Sequence, residues 1–201
     1  MASPSRLAVL ASGRGSNLQA IIEHFDDLGR EGVAKVVLVA SNRADSPALL
    51  RAATASIDIA NFNPSDDGTE LLSLLRKFRI DLVVLAGYLK RIPSSVIAAF
   101  AGRILNVHPA LLPAFGGEGM YGARVHEAVL AAKATETGVT VHLVEDDYDR
   151  GPIVAQWVVP VLVGDDAEAL AARVLQVEHV VYPRAVEMVA ALHQHGFIRS
   201  G

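Results

Sequence analysis

The sequence predicts one α/β domain whose sheet is parallel in its N-terminal half and mixed, with antiparallel strands, in its C-terminal half. Short runs rich in Val, Leu and Ile alternate with longer stretches of helical periodicity, the pattern of a parallel sheet covered on both faces. In the second half, two strand-like runs at 137–144 and 153–161 flank an acidic turn at 145–151, which reads as an antiparallel hairpin added to the sheet. The length, 201 residues, suits about one domain, and no repeat, low-complexity tract or long linker divides it.

Residues 7–12 read as the first strand, an apolar run ending at Ser12. Residues 16–28 form a helix, because Leu18, Ile21, Ile22 and Phe25 recur at helical spacing. Residues 33–41 form the second strand, the Ala/Leu-rich 45–55 a helix, 57–62 a short third strand and 66–78 a helix. Residues 82–86 are a wholly apolar strand bounded by Gly87. A short helix at 94–100 is entered through Pro93, a favoured first helical position. The strand 104–108 stops at Pro109. A loop containing Gly116, Gly117, Gly119 and Gly122 is expected to be mobile and to order on binding, before a helix around 124–133. After the hairpin, Asp165 starts a long helix towards Leu192, with Pro183 as the place for a bend.

Composition removes several function classes. Lys plus Arg is 18 against 22 Asp plus Glu, a net charge of −4, so a broad cationic footprint for nucleic acid is excluded. With hydrophobic residues at 51% and charged residues at 20%, the chain is not a disordered one. The absence of Cys excludes disulfides, thiolate catalysis and Cys-ligated zinc. No apolar run approaches the roughly 18 residues of a spanning helix. The apolar run at 7–11 is too short for a signal peptide, so the expected place is the cytoplasm.

The first strand is followed at once by Gly13-Arg14-Gly15-Ser16-Asn17. Strand, Gly-rich turn and helix together suit phosphate, because the backbone approaches closely and the helix N-terminus offers free N–H groups. Ser16 and Asn17 are also good capping residues, and a capped turn without a ligand would use the same sequence. A dinucleotide fingerprint is not met: the third Gly position is Leu18, and the second strand ends in Ser41-Asn42 with no carboxylate for a ribose. The loop therefore reads as a site for one phosphate monoester.

Asn106-Val107-His108-Pro109 closes the strand at 104–108. Side chains alternate along a strand, so Asn106 and His108 share a side at its C-terminal end, where open α/β sheets place their ligands. An amide and an imidazole aimed at one point suit a carbonyl becoming an oxyanion, although two polar strand-end residues would look the same. Leu111, Leu112 and Pro113 are expected to anchor the following loop. The acidic turn carries Glu145, Asp146, Asp147, Tyr148 and Asp149 before Gly151-Pro152. One carboxylate against an imidazolium would raise its pKa and fix its tautomer. The spacing does not match an EF-hand, and no metal is expected.

At these residues the chain resembles the folate-dependent glycinamide ribonucleotide formyltransferase family. The resemblance runs through S-G-R-G-S-N-L-Q-A-I at 12–21, L-V-V-L-A-G-Y at 82–88 and N-V-H-P-A-L-L-P at 106–113. It continues through G-V-T-V-H-L-V at 138–144, D-R-G-P-I at 149–153 and E-H-V-V-Y-P at 178–183. It implies a Rossmann-like formyltransferase fold as a single domain over 1–201, with a phosphate-binding half at about 1–100 and a folate and catalytic half at about 101–201. It implies transfer of the formyl group of 10-formyltetrahydrofolate to the amine of 5-phosphoribosylglycinamide in purine synthesis. By the same resemblance Asn106, His108 and Asp149 are catalytic. Gly15, Ser16, Asn17 and Glu178 bind the ribonucleotide. Folate falls to Tyr88, Leu89, Lys90, Arg91, Ile92, Asn106, Asp146, Asp147 and Tyr148, largely through main chain. His142 lies near the site in the family pattern, or serves as a structural strand residue. Ala110 stands where many relatives have Ser, and 61–68 offers no Arg where some relatives contact folate.

The expected partners are small-molecule substrates rather than nucleic acid or membrane, with a homodimer left open. Two other reactions share the Asn-x-His-Pro core: formyl transfer to a sugar-nucleotide amine, and hydrolysis of formyltetrahydrofolate. The hydrolase would usually carry a further N-terminal domain, and a methionyl-tRNA formyltransferase a C-terminal RNA-binding one. A non-catalytic nucleotide sensor of this fold would be expected to lack one of Asn106, His108 and Asp149.

Overall fold

In the first strand, β1 (Ser5–Leu10), alternate residues belong to different cores. Leu7 and Val9 pack with α1 (Ser16–Leu28), α2 (Pro47–Thr54) and α6 (Ala167–Gln194) on one face of the sheet. Ala8 and Leu10 pack on the other face with α3 (Thr69–Lys77) and α4 (Ser94–Ala99). A strand buried on both faces needs apolar residues at every position, which is why the run is unbroken. The computed structural model describes residues 3–29, 32–64 and 67–197.

The remaining strands are β2 (Ala34–Ser41), β3 (Asp58–Asn61), β4 (Leu82–Leu85), β5 (Ile104–His108), β6 (Glu136–Leu143) and β7 (Ile153–Pro160); α5 (Ala123–Ala131) lies between β5 and β6. They form one seven-stranded sheet in the order β3-β2-β1-β4-β5-β6-β7. Strands β1 to β5 pair in parallel, and β6 and β7 add antiparallel as a hairpin. A third, smaller core of Val129, Val139, Val159, Leu170 and Val174 closes α5 and α6 over that hairpin. Strand order reverses between β1 and β4, and a ligand crevice belongs at the C-terminal ends of strands flanking such a point. Among the described residues, no helix is long and apolar enough to cross a membrane.

Several element boundaries differ from the sequence reading. β1 starts two residues early, because Ser5 N–H donates to Val33 O at 2.9 Å. α3 starts at Thr69, after Gly68 in the left-handed region (φ +96); of its expected start, residue 66 lies outside the described residues. Pro93 stands just before α4 with extended ψ instead of in its first turn. Asp166, not Asp165, caps α6 by accepting from Ala169 N–H at 2.8 Å, while Asp165 forms a paired bond with Arg173. α6 runs unbroken through Pro183. Burial of Tyr182, Ala185, Val186, Val189 and Ala190 on the sheet outweighs the one backbone bond that proline removes.

Neither Ser16 nor Asn17 caps α1. The N-cap is Gly15 at φ +74, with no side-chain cap bond, so the first N–H groups of the helix stay open. A Cβ on Gly15 would also lie 3.0 Å from Ala48. Gly15→Ala is therefore expected to destabilise the fold by about 1–2 kcal/mol, the cost of forcing an L-residue into that region. It should also weaken phosphate binding at the loop. Thermal melts and ribonucleotide titration check both, and unchanged values in the two would contradict the role given to this turn.

Candidate active site

A cavity of about 610 Å³ opens at the C-terminal ends of β4 and β5. Tyr182, fully buried on α6, holds those two strands: its hydroxyl lies 3.0 Å from both Leu85 O and Leu105 O, sharing one proton between them. Asn106 and His108 project from β5 into the cavity, as their spacing predicts. Asp149 comes from the β6–β7 turn, in left-handed conformation at φ +55. The following Gly151 admits no side chain there, because a Cβ would collide with Leu143 O.

The three groups meet at short range. His108 Nδ1 lies 3.5 Å from Asp149 Oδ2, with both side chains at least nine-tenths buried. His108 Nε2 lies 2.8 Å from Phe115 O, and Gly117 N–H donates to Asp149 Oδ2 at 2.9 Å. The Gly-rich loop expected to be mobile is thus tethered to both groups. Its base is pinned by Thr140, whose hydroxyl donates to Ala110 O and accepts from Leu112 N–H and Gln156 Nε2.

His142 links the set. It faces Asn106 across the β5–β6 pair. Its Nδ1 bonds Leu143 O at 2.9 Å and so carries the proton. Nε2 then accepts from Asn106 Nδ2 at 3.1 Å, which orients the amide. Asp149 Oδ1 also lies 3.5 Å from that nitrogen.

Burial sets the electrostatics. It lowers the His108 pKa, outweighing the raising effects of the Asp149 charge and the Phe115 carbonyl, with His142 adding to the lowering. As expected, the Asp149 carboxylate acts to raise this pKa, but desolvation outweighs it. Burial alone would push the Asp149 carboxyl up. The nearby His142 ring, the bond from Gly117 N–H and the charge of His108 reverse this and hold it below its ordinary value.

In the cavity lining Asn17 Nδ2 donates to Glu178 Oε2 at 2.5 Å. Burial raises the Glu178 carboxyl from 4.5 to about 7, against the opposing pull of Asn17. Folded protein keeps this proton up to about pH 7 while unfolded chain sheds it near 4.5, so stability falls across that window and levels above it. Glu178→Gln removes that fall. It is expected to gain up to about 3 kcal/mol at pH 8 and little at pH 4, while losing ribonucleotide affinity. Denaturant melts at both pH values check this; an equal gain at each would contradict it. Gly15 and Ser16 stand at the start of α1 and do not line the cavity, whereas Asn17 does.

Residues 88–92 and the acidic turn also line the cavity. The side chains of Tyr88 and Ile92 are buried in the core, Tyr88 stacked on Phe62 at 5.9 Å, so these positions offer the cavity chiefly backbone. Leu89 is exposed, and Lys90 and Arg91 are also at the surface. Arg91 donates to Asp146 O at 2.8 Å and lies over the Tyr148 ring at 5.9 Å, while Ser94 donates to Asp146 Oδ1 at 2.5 Å. The acidic turn is therefore tied to the 88–94 segment. Asp146, Asp147 and Tyr148 all line the cavity.

Sequence reasoning missed His126, which lines the cavity from α5, and Ala171 and Leu175 from α6. The signal for His126 was its place beside Val125 and three residues before Val129, on the face that packs inward.

The formyl transferase family model matches residues 5–186. The chain is 46% identical over 194 residues to phosphoribosylglycinamide formyltransferase, chloroplastic, of Arabidopsis thaliana, covering 93% of this chain and 65% of that protein. The protein of the same name from Vigna unguiculata is 45% identical, with 90% of this chain and 60% of that protein covered. The chain thus spans somewhat under two thirds of the length of these relatives. Among solved structures, glycinamide ribonucleotide transformylase 1 from Geobacillus kaustophilus superposes with a TM-score of 0.86 at 38% identity, covering 94% of this chain and all of that one. With the fold, the clustered site and these matches in agreement, the chain belongs to the formyl transferase family.

Proposed function

We propose that the chain transfers the formyl group of 10-formyltetrahydrofolate to the amine of 5-phosphoribosylglycinamide, giving formylglycinamide ribonucleotide and tetrahydrofolate, a step of purine biosynthesis in the cytoplasm. The observation that carries this is the convergence of Asn106, His108 and Asp149 in one cavity, which Asn17 and Glu178 also line along with residues 88–92 and the acidic turn. Relatives whose names state this activity match 93–94% of the chain. A cavity of about 610 Å³ suits two small substrates meeting end to end.

The ribonucleotide takes the end built by α1 and α6. Its phosphate sits at Gly15, Ser16 and Asn17, where the uncapped helix N-terminus supplies N–H donors. Its ribose hydroxyls meet Glu178. Folate takes the other end, against backbone at Tyr88, Leu89, Lys90, Arg91 and Ile92 and at Asp146, Asp147 and Tyr148, and reaches Asn106. The proposed phosphate half (about 1–100) and folate and catalytic half (about 101–201) interleave, since 88–92 serves folate and Glu178 the ribonucleotide.

The chemistry falls to three side chains. Asn106 Nδ2 has two hydrogens: one is engaged by His142, and the other donates to the formyl oxygen. His108 as imidazolium stabilises the charge that develops on that oxygen. Asp149 holds the ring and favours its charged form. The neutral amine forms a bond to the formyl carbon, and the bond from that carbon to folate N10 breaks. The proton shed by the amine ends on N10, with His108 as carrier. For this, Phe115 O gives up His108 Nε2, so the loop shifts during turnover.

An isotopically labelled formyl carbon tests the reading. It is expected on the glycinamide nitrogen of the product; label released as formate with the amine present would contradict it.

A further inference from the structure

His126 is the third imidazole of the cavity, and the chemistry above leaves it unused. It lies on the inward face of α5, 5% exposed, and lines the cavity near enough to His108 for their charges to repel. Its Nδ1 is buried and, among the described residues, has no hydrogen-bond partner. Buried donors without acceptors are rarer than buried acceptors without donors, so the proton belongs on Nε2, the nitrogen left to the cavity. Burial, with the neighbouring His108 charge, lowers the His126 pKa and so favours the neutral ring. The result is a fixed, uncharged N–H donor beside the reacting centre.

The other polar groups narrow what this donor meets. Asn106 and His108 serve the formyl oxygen, Glu178 takes hydroxyls, and the start of α1 takes phosphate. On the ribonucleotide, the oxygen nearest the attacking amine is the glycinamide carbonyl, and none of these groups donates to it. Resting on the functional reading above, we propose that His126 Nε2 donates to the glycinamide carbonyl and so selects an α-amino amide over a plain sugar amine. A neutral donor suits this task, because a second cation beside His108 would disfavour the imidazolium needed there.

The test crosses enzyme variants with substrates. The ribonucleotide is compared with an analogue carrying methylene in place of the glycinamide carbonyl. The unaltered chain should prefer the ribonucleotide by about tenfold in kcat/KM, the size of one hydrogen bond. His126→Leu should abolish that preference, leave the folate KM unchanged and leave the pH profile in place. His126→Gln, which keeps a planar N–H donor, should recover part of it. The same preference in His126→Leu as in the unaltered chain would overturn the proposal.

Side-chain nitrogen NMR of the unaltered chain gives an answer that needs no variant. His126 should carry its proton on Nε2 alone at pH 8, and that N–H resonance should move with the ribonucleotide and not with the analogue. A proton on Nδ1, or equal movement with both, would overturn the proposal. A chain that transfers no formyl group to the ribonucleotide would instead fail the functional reading, and the NMR comparison would still report on His126.

Discussion

His108→Ala is expected to lower kcat by about a thousandfold, the combined size of a lost proton carrier and a lost oxyanion donor, while ribonucleotide affinity stays largely intact. The reason lies in placement. His108 stands at the end of β5, between the Asp149 carboxylate and Phe115 O, and makes no contact with the Asn17–Glu178 pair proposed to hold the ribonucleotide. The side chain is buried, so the variant also opens a small cavity beside Val107 and the loop. Melting temperature is measured alongside to separate this from chemistry. Turnover within a few-fold of the unaltered chain would remove His108 from the mechanism. A large rise in ribonucleotide Kd with kcat preserved would make it a binding residue.

Asp149→Asn is expected to lower kcat by about a hundredfold or more and to move a limb of the pH–rate profile. The sign follows from the site. Burial already lowers the His108 pKa, and the Asp149 charge is the main influence raising it. Without that charge the imidazolium is lost at lower pH, so the limb on which rate falls with rising pH moves to lower pH. An unmoved limb would mean that Asp149 does not set the charge of His108. Stability should respond as well. The folded Asp149 carboxyl is held below its ordinary 3.8, so its ionised form contributes stability above that value, lost as pH falls through the lowered pKa. The deficit of the Asn variant should therefore be full at neutral pH and close in strong acid.

The sheet was legible because burial on both faces imposes unbroken apolar runs. β4 and β5 match the reading within a residue, as does the hairpin of β6 and β7. Helix starts were less legible. Ser16 and Asn17 have capping chemistry, yet Gly15 is the N-cap, and Asn17 is drawn across to Glu178 by a tertiary contact that no local pattern encodes. That α6 continues through Pro183 was not legible, because local sequence carries the proline's cost but not the core that offsets it. In the site, alternation along β5 was enough to place Asn106 and His108 together. The approach of Asp149 needed the hairpin turn to fold back, and only the family resemblance supplied it. His126 went unread because a histidine on an amphipathic helix gives no sign of what it faces. The electrostatics of His108 were legible only in part for a related reason: the raising effect of the carboxylate is visible in the sequence, and the depth of burial that outweighs it is not.

The central claim is most directly tested by a spectrophotometric transfer assay with the unaltered chain, a 10-formylfolate donor and phosphoribosylglycinamide, each substrate being omitted in turn. Folate product that forms only when both substrates are present is the predicted result. Product without the amine would show a hydrolase, and no product with both would move the acceptor elsewhere, with sugar-nucleotide amines the first to try; either outcome would contradict the proposed reaction.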